Sequence, residues 1–197
     1  MRLDAVHDLQ KVFRKVLAAT ASPGSIIDLA GEAGLLDLDL PLNKGILLVA
    51  LALLDAETSF AVASADRSAQ SETILHMTYA KSAREAEADF VFVLGGADAA
   101  GAIAGARIGT LVDPHLGATI IVEVESLEAG VGLELSGPGI ESRARLGVRM
   151  AADHGAAWIA ARSAKNREFP LGVDLILVDA RCRLAALPRT TFIREEG

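Results

Sequence analysis

Arg189 stands in the run Leu187-Pro188-Arg189-Thr190-Thr191, where a guanidinium beside two hydroxyls and a proline turn offers the chemistry that holds a phosphate or a carboxylate. Arg143 and Arg145 follow Gly137-Pro138-Gly139 and present the same group from a second turn. The competing reading of each is a surface arginine paired with one of the 26 acidic residues. His115, in a loop with Asp113-Pro114, is the one histidine placed like a general base. His7, His76 and His154 fall on predicted helices, and no histidine lies within metal-ligand spacing of another. Anion or subunit contact is therefore assigned to Arg189, Thr190, Arg143 and His115. No catalytic, cofactor-binding or metal-binding residue is assigned.

Other candidates for chemistry give way to plainer readings. Glu123 and Glu125 share one face of a strand and resemble an acid–base pair, but clean alternation with apolar neighbours describes a solvated sheet face. Gly95-Gly96 with Gly101 after a strand faintly evokes a dinucleotide loop, yet Ala97 replaces the second glycine of that fingerprint. Gly101 and Gly105 permit close helix packing. There is no Gly-Lys dipeptide of a phosphate-binding loop, no His-Glu-x-x-His and no Cys-x-x-Cys; the lone Cys182 completes neither a disulfide nor a zinc site.

The elements that must position these residues follow from periodicity. Val6, Leu9, Val12, Phe13, Val16 and Leu17 recur at helical spacing, and Ser22-Pro23-Gly24 then supplies a type II turn. A short strand is expected over Ser25 to Leu29, a loop over 30–43, a buried helix over Gly45 to Leu54 and a strand over Ser59 to Ala63. Ser64 or Asp66 should cap a helix reaching about Lys81. Asp89 to Leu94 reads as a buried strand, Asp98 as the cap of a short helix, and Gly109 to Gly117 as a loop. Thr119 to Glu125 and Val131 to Ser136 both alternate and are expected to pair as a hairpin through Ser126 to Gly130. Beyond Gly137-Pro138-Gly139 an Ala-rich helix is expected from about Arg149 to Lys165. A strand over Leu175 to Val178 and its return over Arg183 to Leu187 complete an α/β fold, a three-layer mixed sheet flanked by helices in one domain over 1–197.

Composition narrows the function classes. Hydrophobic residues make up 51% and aromatics only 4%, so Ala, Leu, Val and Ile must fill the core, and the apolar excess reads equally as an oligomer interface or as a well-filled core. The net charge of −7 and the pI near 5.1 disfavour nucleic-acid binding. The charged start and the short apolar run from Gly45 to Leu54 predict a cytoplasmic protein with no signal peptide and no membrane span.

Phe13-Arg14 with Ser22-Pro23-Gly24, Gly117-Ala118-Thr119 leading to Ser126-Leu127, Gly137-Pro138-Gly139-Ile140, the nonapeptide from Phe169 to Leu177, and Leu187-Pro188-Arg189-Thr190-Thr191 occur in an order that spans almost the whole chain. In these segments the sequence resembles the H-subunit family of the carbon-phosphorus lyase system; residues 30–110 depart most. The resemblance implies a fold like that of pyridoxal-phosphate-dependent transferases, trimmed and without the cofactor. It further implies a non-catalytic place beside subunits G, I and J in the complex that couples a phosphonate to the ribose triphosphate of ATP, and a homodimer when isolated. It carries over no catalytic residue. The lysines agree with a missing cofactor, since an internal aldimine needs a lysine in a desolvated pocket. Lys11 and Lys15 lie on the polar side of a helix, while Lys44, Lys81 and Lys165 fall near predicted helix ends. Two other classes stay open. One is a free-standing enzyme acting on a phosphorylated small molecule, with Arg189, Thr190 and His115 lining its pocket; the other is a ligand-binding module.

Overall fold

A computed structural model describes residues 3–37, 40–150 and 155–196. Residues 151–154 of the helix expected from about Arg149 to Lys165, His154 included, lie outside the described residues. In chain order the elements are α1 (His7–Ala21), β1 (Ile27–Asp28), α2 (Ala30–Ala33), α3 (Lys44–Leu53), β2 (Ser59–Ala63), α4 (Arg67–Thr78), β3 (Lys81–Ser82), β4 (Phe90–Val93), α5 (Ala99–Gly105), a 3-10 turn (Pro114–Leu116), β5 (Thr119–Ser136), β6 (Ala144–Met150), α6 (Ala157–Lys165), β7 (Asp174–Asp179), β8 (Arg183–Leu187) and β9 (Phe192–Glu195).

The sheet runs β1-β8-β7-β5-β4-β2-β3. Strands β3, β2, β4, β5 and β7 pair in parallel, whereas β8 runs against β7 and β1 against β8. Alternation along the strands feeds two separate cores. Phe60, Val62, Phe92, Ile121, Ile176 and Val178 face α1 to α4, and Ala61, Val91, Val93, Ile120, Val122, Leu175 and Leu177 face α5 and α6. The expected three layers, a mixed sheet with helices on both faces, are present. Phe60 and Phe92 meet edge to face on the first side, 6.4 Å apart, which adds about 1 kcal/mol to their burial.

Local signals explain the helix ends. Asp4 accepts hydrogen bonds from the amides of Val6 and His7, both at 2.8 Å, and so caps α1. Asn43 caps α3 through Gly45 and donates its amide to the Asp179 carbonyl at 3.0 Å, tying the helix to the end of β7. Ser22-Pro23-Gly24 and Gly137-Pro138-Gly139 each close with an i to i+3 bond and a positive φ at the last glycine. The two turns touch, since a Cβ on Gly139 would lie 2.3 Å from the Ala21 carbonyl oxygen.

Four expectations need correction. Thr119 to Ser136 is one strand rather than a hairpin: both halves run antiparallel to β6, and Ser126 to Gly130 forms a bulge with register shifts. The hairpin instead joins β5 to β6 around Gly137-Pro138-Gly139. Arg149 and Met150, expected to open an Ala-rich helix, are instead the last residues of strand β6, in which Leu146, Val148 and Met150 alternate with Arg145, Gly147 and Arg149. The 30–43 loop contains α2, and α4 stops at Thr78, where Tyr79 turns left-handed and Lys81 enters β3. On α1 the six-residue apolar face is only partly covered, since Val6, Phe13 and Leu17 stay exposed. Beyond its bulge β5 leaves the main sheet and, with β6 and β9, builds a three-stranded arm.

Candidate functional site

Three of the segments singled out by sequence, around Gly117, Asp174 and Arg189, meet at the amino edge of the parallel strands, where β5 and β7 begin and β8 ends. Arg189 organises that meeting. Its backbone amide donates to Asp174 Oδ1 at 2.7 Å, its Nη2 to Asp174 Oδ2 at 2.6 Å, and its Nε to both Asp174 oxygens. Its Nη1 reaches the carbonyls of Pro114 at 2.9 Å and Pro170 at 3.3 Å. A planar fork satisfied on every nitrogen pins three loops together. Asp174 in turn is fixed at the first residue of β7, where its amide donates to Ala118.

Small residues make the junction possible. A Cβ on Gly117 would lie 2.4 Å from the Gly172 carbonyl oxygen and 2.9 Å from Arg189 Nη1, and one on Gly172 would lie 2.4 Å from Asn166 Oδ1. Asn166 closes the 166–173 loop by donating to and accepting from the backbone of Val173 at 3.1 and 2.8 Å. Within that loop the Phe169-Pro170 peptide bond is cis.

Arg162 on α6 supports the junction from inside. It is 2% exposed, and its guanidinium donates to the carbonyls of Thr191 (3.0 Å), Leu187 (3.3 Å) and Pro188. Burial pulls its pKa down to about 10, partly offset by the charge of Asp174, so it remains a cation at neutral pH. Sequence reading missed Arg162, although it follows Trp158 by four residues and Ile159 by three and so shares their buried face.

The structure brings Arg189 and His115 to one place, because Pro114 precedes His115 in the 3-10 turn. Exposed His115 is part of no group of three or more metal-ligand side chains, and none exists among the described residues. Thr190 lies farther along, its carbonyl against Gly137. Arg143 is elsewhere, on the arm, paired with Glu134.

Around the junction the surface is apolar. Leu111 (67% exposed), Val112 (87%) and Phe169 (72%) project from the two loops that Arg189 joins. On the α1 side of Asp174 a cleft of about 260 Å³ is lined by Val16, Leu17, Leu53, Phe90 and Pro188 among others.

Open α/β sheets place ligands at the carboxyl ends of their strands, and here that edge is occupied by the chain's own side chains. The Gly95 amide after β4 donates to Glu123 Oε2 at 2.9 Å, so the Gly95-Gly96 loop holds a carboxylate of its own. Buried Asp179 receives Arg183 through Nε and Nη2 at 2.8 and 2.7 Å, and Arg183 extends to Glu128. Four of the five lysines are likewise engaged: Lys44 Nζ donates to the Leu36 carbonyl at 2.7 Å, Lys15 to Glu32, Lys165 to the Ala106 carbonyl and Lys11 to Asp8. Gly101 makes room for the Asp98 carboxylate rather than for a neighbouring helix. No helix among the described residues is long and apolar enough to cross a membrane.

Comparison with known proteins agrees with the resemblance. The family model described as "Bacterial phosphonate metabolism protein (PhnH)" matches residues 2–194. The "Putative C-P lyase subunit protein HtxG" of Stutzerimonas stutzeri is 36% identical over 189 residues, 95% of this chain and 87% of that protein. The "Alpha-D-ribose 1-methylphosphonate 5-triphosphate synthase subunit PhnH" of Rhizobium meliloti (strain 1021) is 32% identical over 195 residues, 98% of this chain and 94% of that protein. With a family match over residues 2–194 and two relatives above 30% identity across nearly the whole chain, this chain belongs to the PhnH family of bacterial phosphonate metabolism proteins.

Proposed function

We propose that this chain is the non-catalytic H subunit of a cytoplasmic carbon-phosphorus lyase core complex. In that role it works with subunits G and I, and L, in transferring ribose triphosphate from ATP to a phosphonate, and it docks to G, I and J. Its whole length, 1–197, acts as one domain, with the layered fold of a pyridoxal-phosphate-dependent transferase trimmed of the cofactor site, and the isolated chain pairs with a second copy. The observation that carries the reading is the junction itself. Three of the segments, around Gly117, Asp174 and Arg189, converge at the amino edge of the sheet on loops pinned by hydrogen bonds, and exposed Leu111, Val112 and Phe169 stand out from those loops. Exposed aromatic and aliphatic side chains on pinned loops are what a stable partner covers. Arg189 serves this surface by fixing the loops, and His115 and Thr190 border the contact.

Co-expression with G, I and J tests the proposal. The four chains should co-purify in a fixed ratio, and Phe169→Asp should strip this chain from the others while its melting temperature holds. Association that survives both Phe169→Asp and Val112→Asp would sink it.

A further inference from the structure

The three-stranded arm carries a cleft that the docking surface does not use. Register places Glu134 of β5 opposite Arg145 of β6 and Arg194 of β9, and Ser136 opposite Phe192. Alternation turns these side chains to one face, while Leu133, Leu135 and Leu146 cover the second core from the other. A cleft of about 500 Å³ opens on the polar face, lined by Ser136, Ser142, Arg143, Phe192 and Arg194 with Glu134 at its floor. That volume suits a small organic ligand.

Charge and shape favour a particular class. Arg143 pairs with Glu134 and Arg145 with Glu196 at 2.8 Å, while Arg194 makes no ion pair among the described residues. Hydrogen bonding from Arg143, then the charges of Arg143, Arg194 and Arg145, hold the Glu134 carboxyl below its usual range. Among the residues that line the cleft, two arginines face one carboxylate, on a protein whose net charge is −7. Phe192 is 74% exposed at the cleft wall, which is costly for a phenyl ring unless something covers it. A flat apolar ring next to guanidinium forks and hydroxyls recognises a molecule with a planar ring at one end and a phosphate at the other.

We infer that the arm of this chain binds a nucleoside phosphate, with the base stacked on Phe192 and the phosphates held by Arg143 and Arg194. On binding, a phosphate oxygen displaces Glu134 from Arg143, and the Ser142 hydroxyl lies within the same cleft. This site is separate from the Arg189 junction and stands independently of the complex proposed above.

Calorimetric titration of the full-length chain with ADP, pyrophosphate and adenosine tests it. ADP should bind saturably, pyrophosphate more weakly and adenosine least. Arg143→Ala and Arg194→Ala should each weaken ADP about tenfold or more, as loss of a charge-assisted contact predicts. Phe192→Ala should weaken ADP but leave pyrophosphate unchanged, a split that a purely structural role would not produce. Thermal melts confirm that each variant is folded; should one fail to fold, competition of pyrophosphate against ADP on the unaltered chain supplies the same answer. Absence of saturable ADP binding at millimolar concentration overturns the inference. So does ADP binding that survives the Arg143→Ala/Arg194→Ala double change. Loss of co-purification in these variants without any nucleotide binding by the parent would make the face a protein contact and would also overturn it.

Discussion

Replacing Arg162 with Met removes a buried cation and keeps a flexible side chain of similar reach, so two opposing quantities decide the outcome. Holding the guanidinium inside the protein is unfavourable: a pKa lowered from the ordinary arginine range to about 10 corresponds to about 3 kcal/mol that the substitution gives back. Against this, the carbonyls of Leu187, Pro188 and Thr191 lose a charged donor. Each such bond contributes roughly 1.5–3 kcal/mol, so the loss is about 4.5–9 kcal/mol. The net expectation is a destabilisation of about 2–6 kcal/mol. At roughly 2–4 °C per kcal/mol for a chain of this size, the melting temperature falls by at least about 4 °C. Urea denaturation followed by circular dichroism measures it directly. The sign with pH is also fixed: a base whose folded pKa is depressed disfavours its own charged form in the fold, and deprotonation relieves that cost only as pH climbs from about 10 towards 12.5. The difference between the parent and Arg162→Met should therefore be flat between about pH 6 and 9. A variant as stable as the parent within about 0.5 kcal/mol would refute the claim that Arg162 holds the 187–191 turn.

Three further outcomes follow from the same geometry. Gly117→Ala places a methyl 2.4 Å from the Gly172 carbonyl oxygen and against the Arg189 guanidinium, and should lower stability by about 1–3 kcal/mol in a calorimetric melt. Arg189→Ala leaves Asp174 without its fork and frees the 109–117 and 166–173 loops, so protease cleavage within those loops should accelerate well before global unfolding does. At Asp89 burial opposes ionisation, but the Ser59 bonds and the nearby Arg107 outweigh it and hold the carboxyl below 3.8. That contribution is present above the unfolded carboxylate range and disappears as pH falls through the folded value, so Asp89→Asn should reduce stability at pH 7 and narrow the gap to the parent in acid titrations.

How much of this was legible in the residues depended on whether local pattern and tertiary pairing agreed. Strands β2, β4 and β7 were plain because their runs rich in β-branched or aromatic residues lie largely buried, β8 as the return of β7 across a short turn, and α3 because the Ala and Leu content of an apolar run favours a helix. Strand β5 misled because Ser126 to Gly130 has the composition of a turn, and only the presence of β6 on its flank turns that segment into a bulge. Strand β6 itself was hidden by the Ala-rich residues that follow it, whose helix propensity was read backwards over a period-two stretch. Arg189 was singled out as an anion or subunit contact, but an arginine that binds an anion and one that binds Asp174 carry the same letters. Only the distances separate them.

That distinction bears on what such a surface can do. A guanidinium that reaches an incoming anion must keep donors free, and all three nitrogens of Arg189 are already engaged within the chain. What it transmits to a neighbour is therefore position: with Asp174 beneath and Pro114 and Pro170 above, it holds two loops so that Phe169, Leu111 and Val112 are presented without the entropy loss that mobile loops would suffer on docking. The arm makes the opposite arrangement. There Arg194 lacks an ion-pair partner among the described residues and Arg143 is held only by an exposed pair, which a competing phosphate can exchange at little cost. One arginine cluster is fastened to build a surface and the other is left open to charge, and an assay of either should leave the other unmoved.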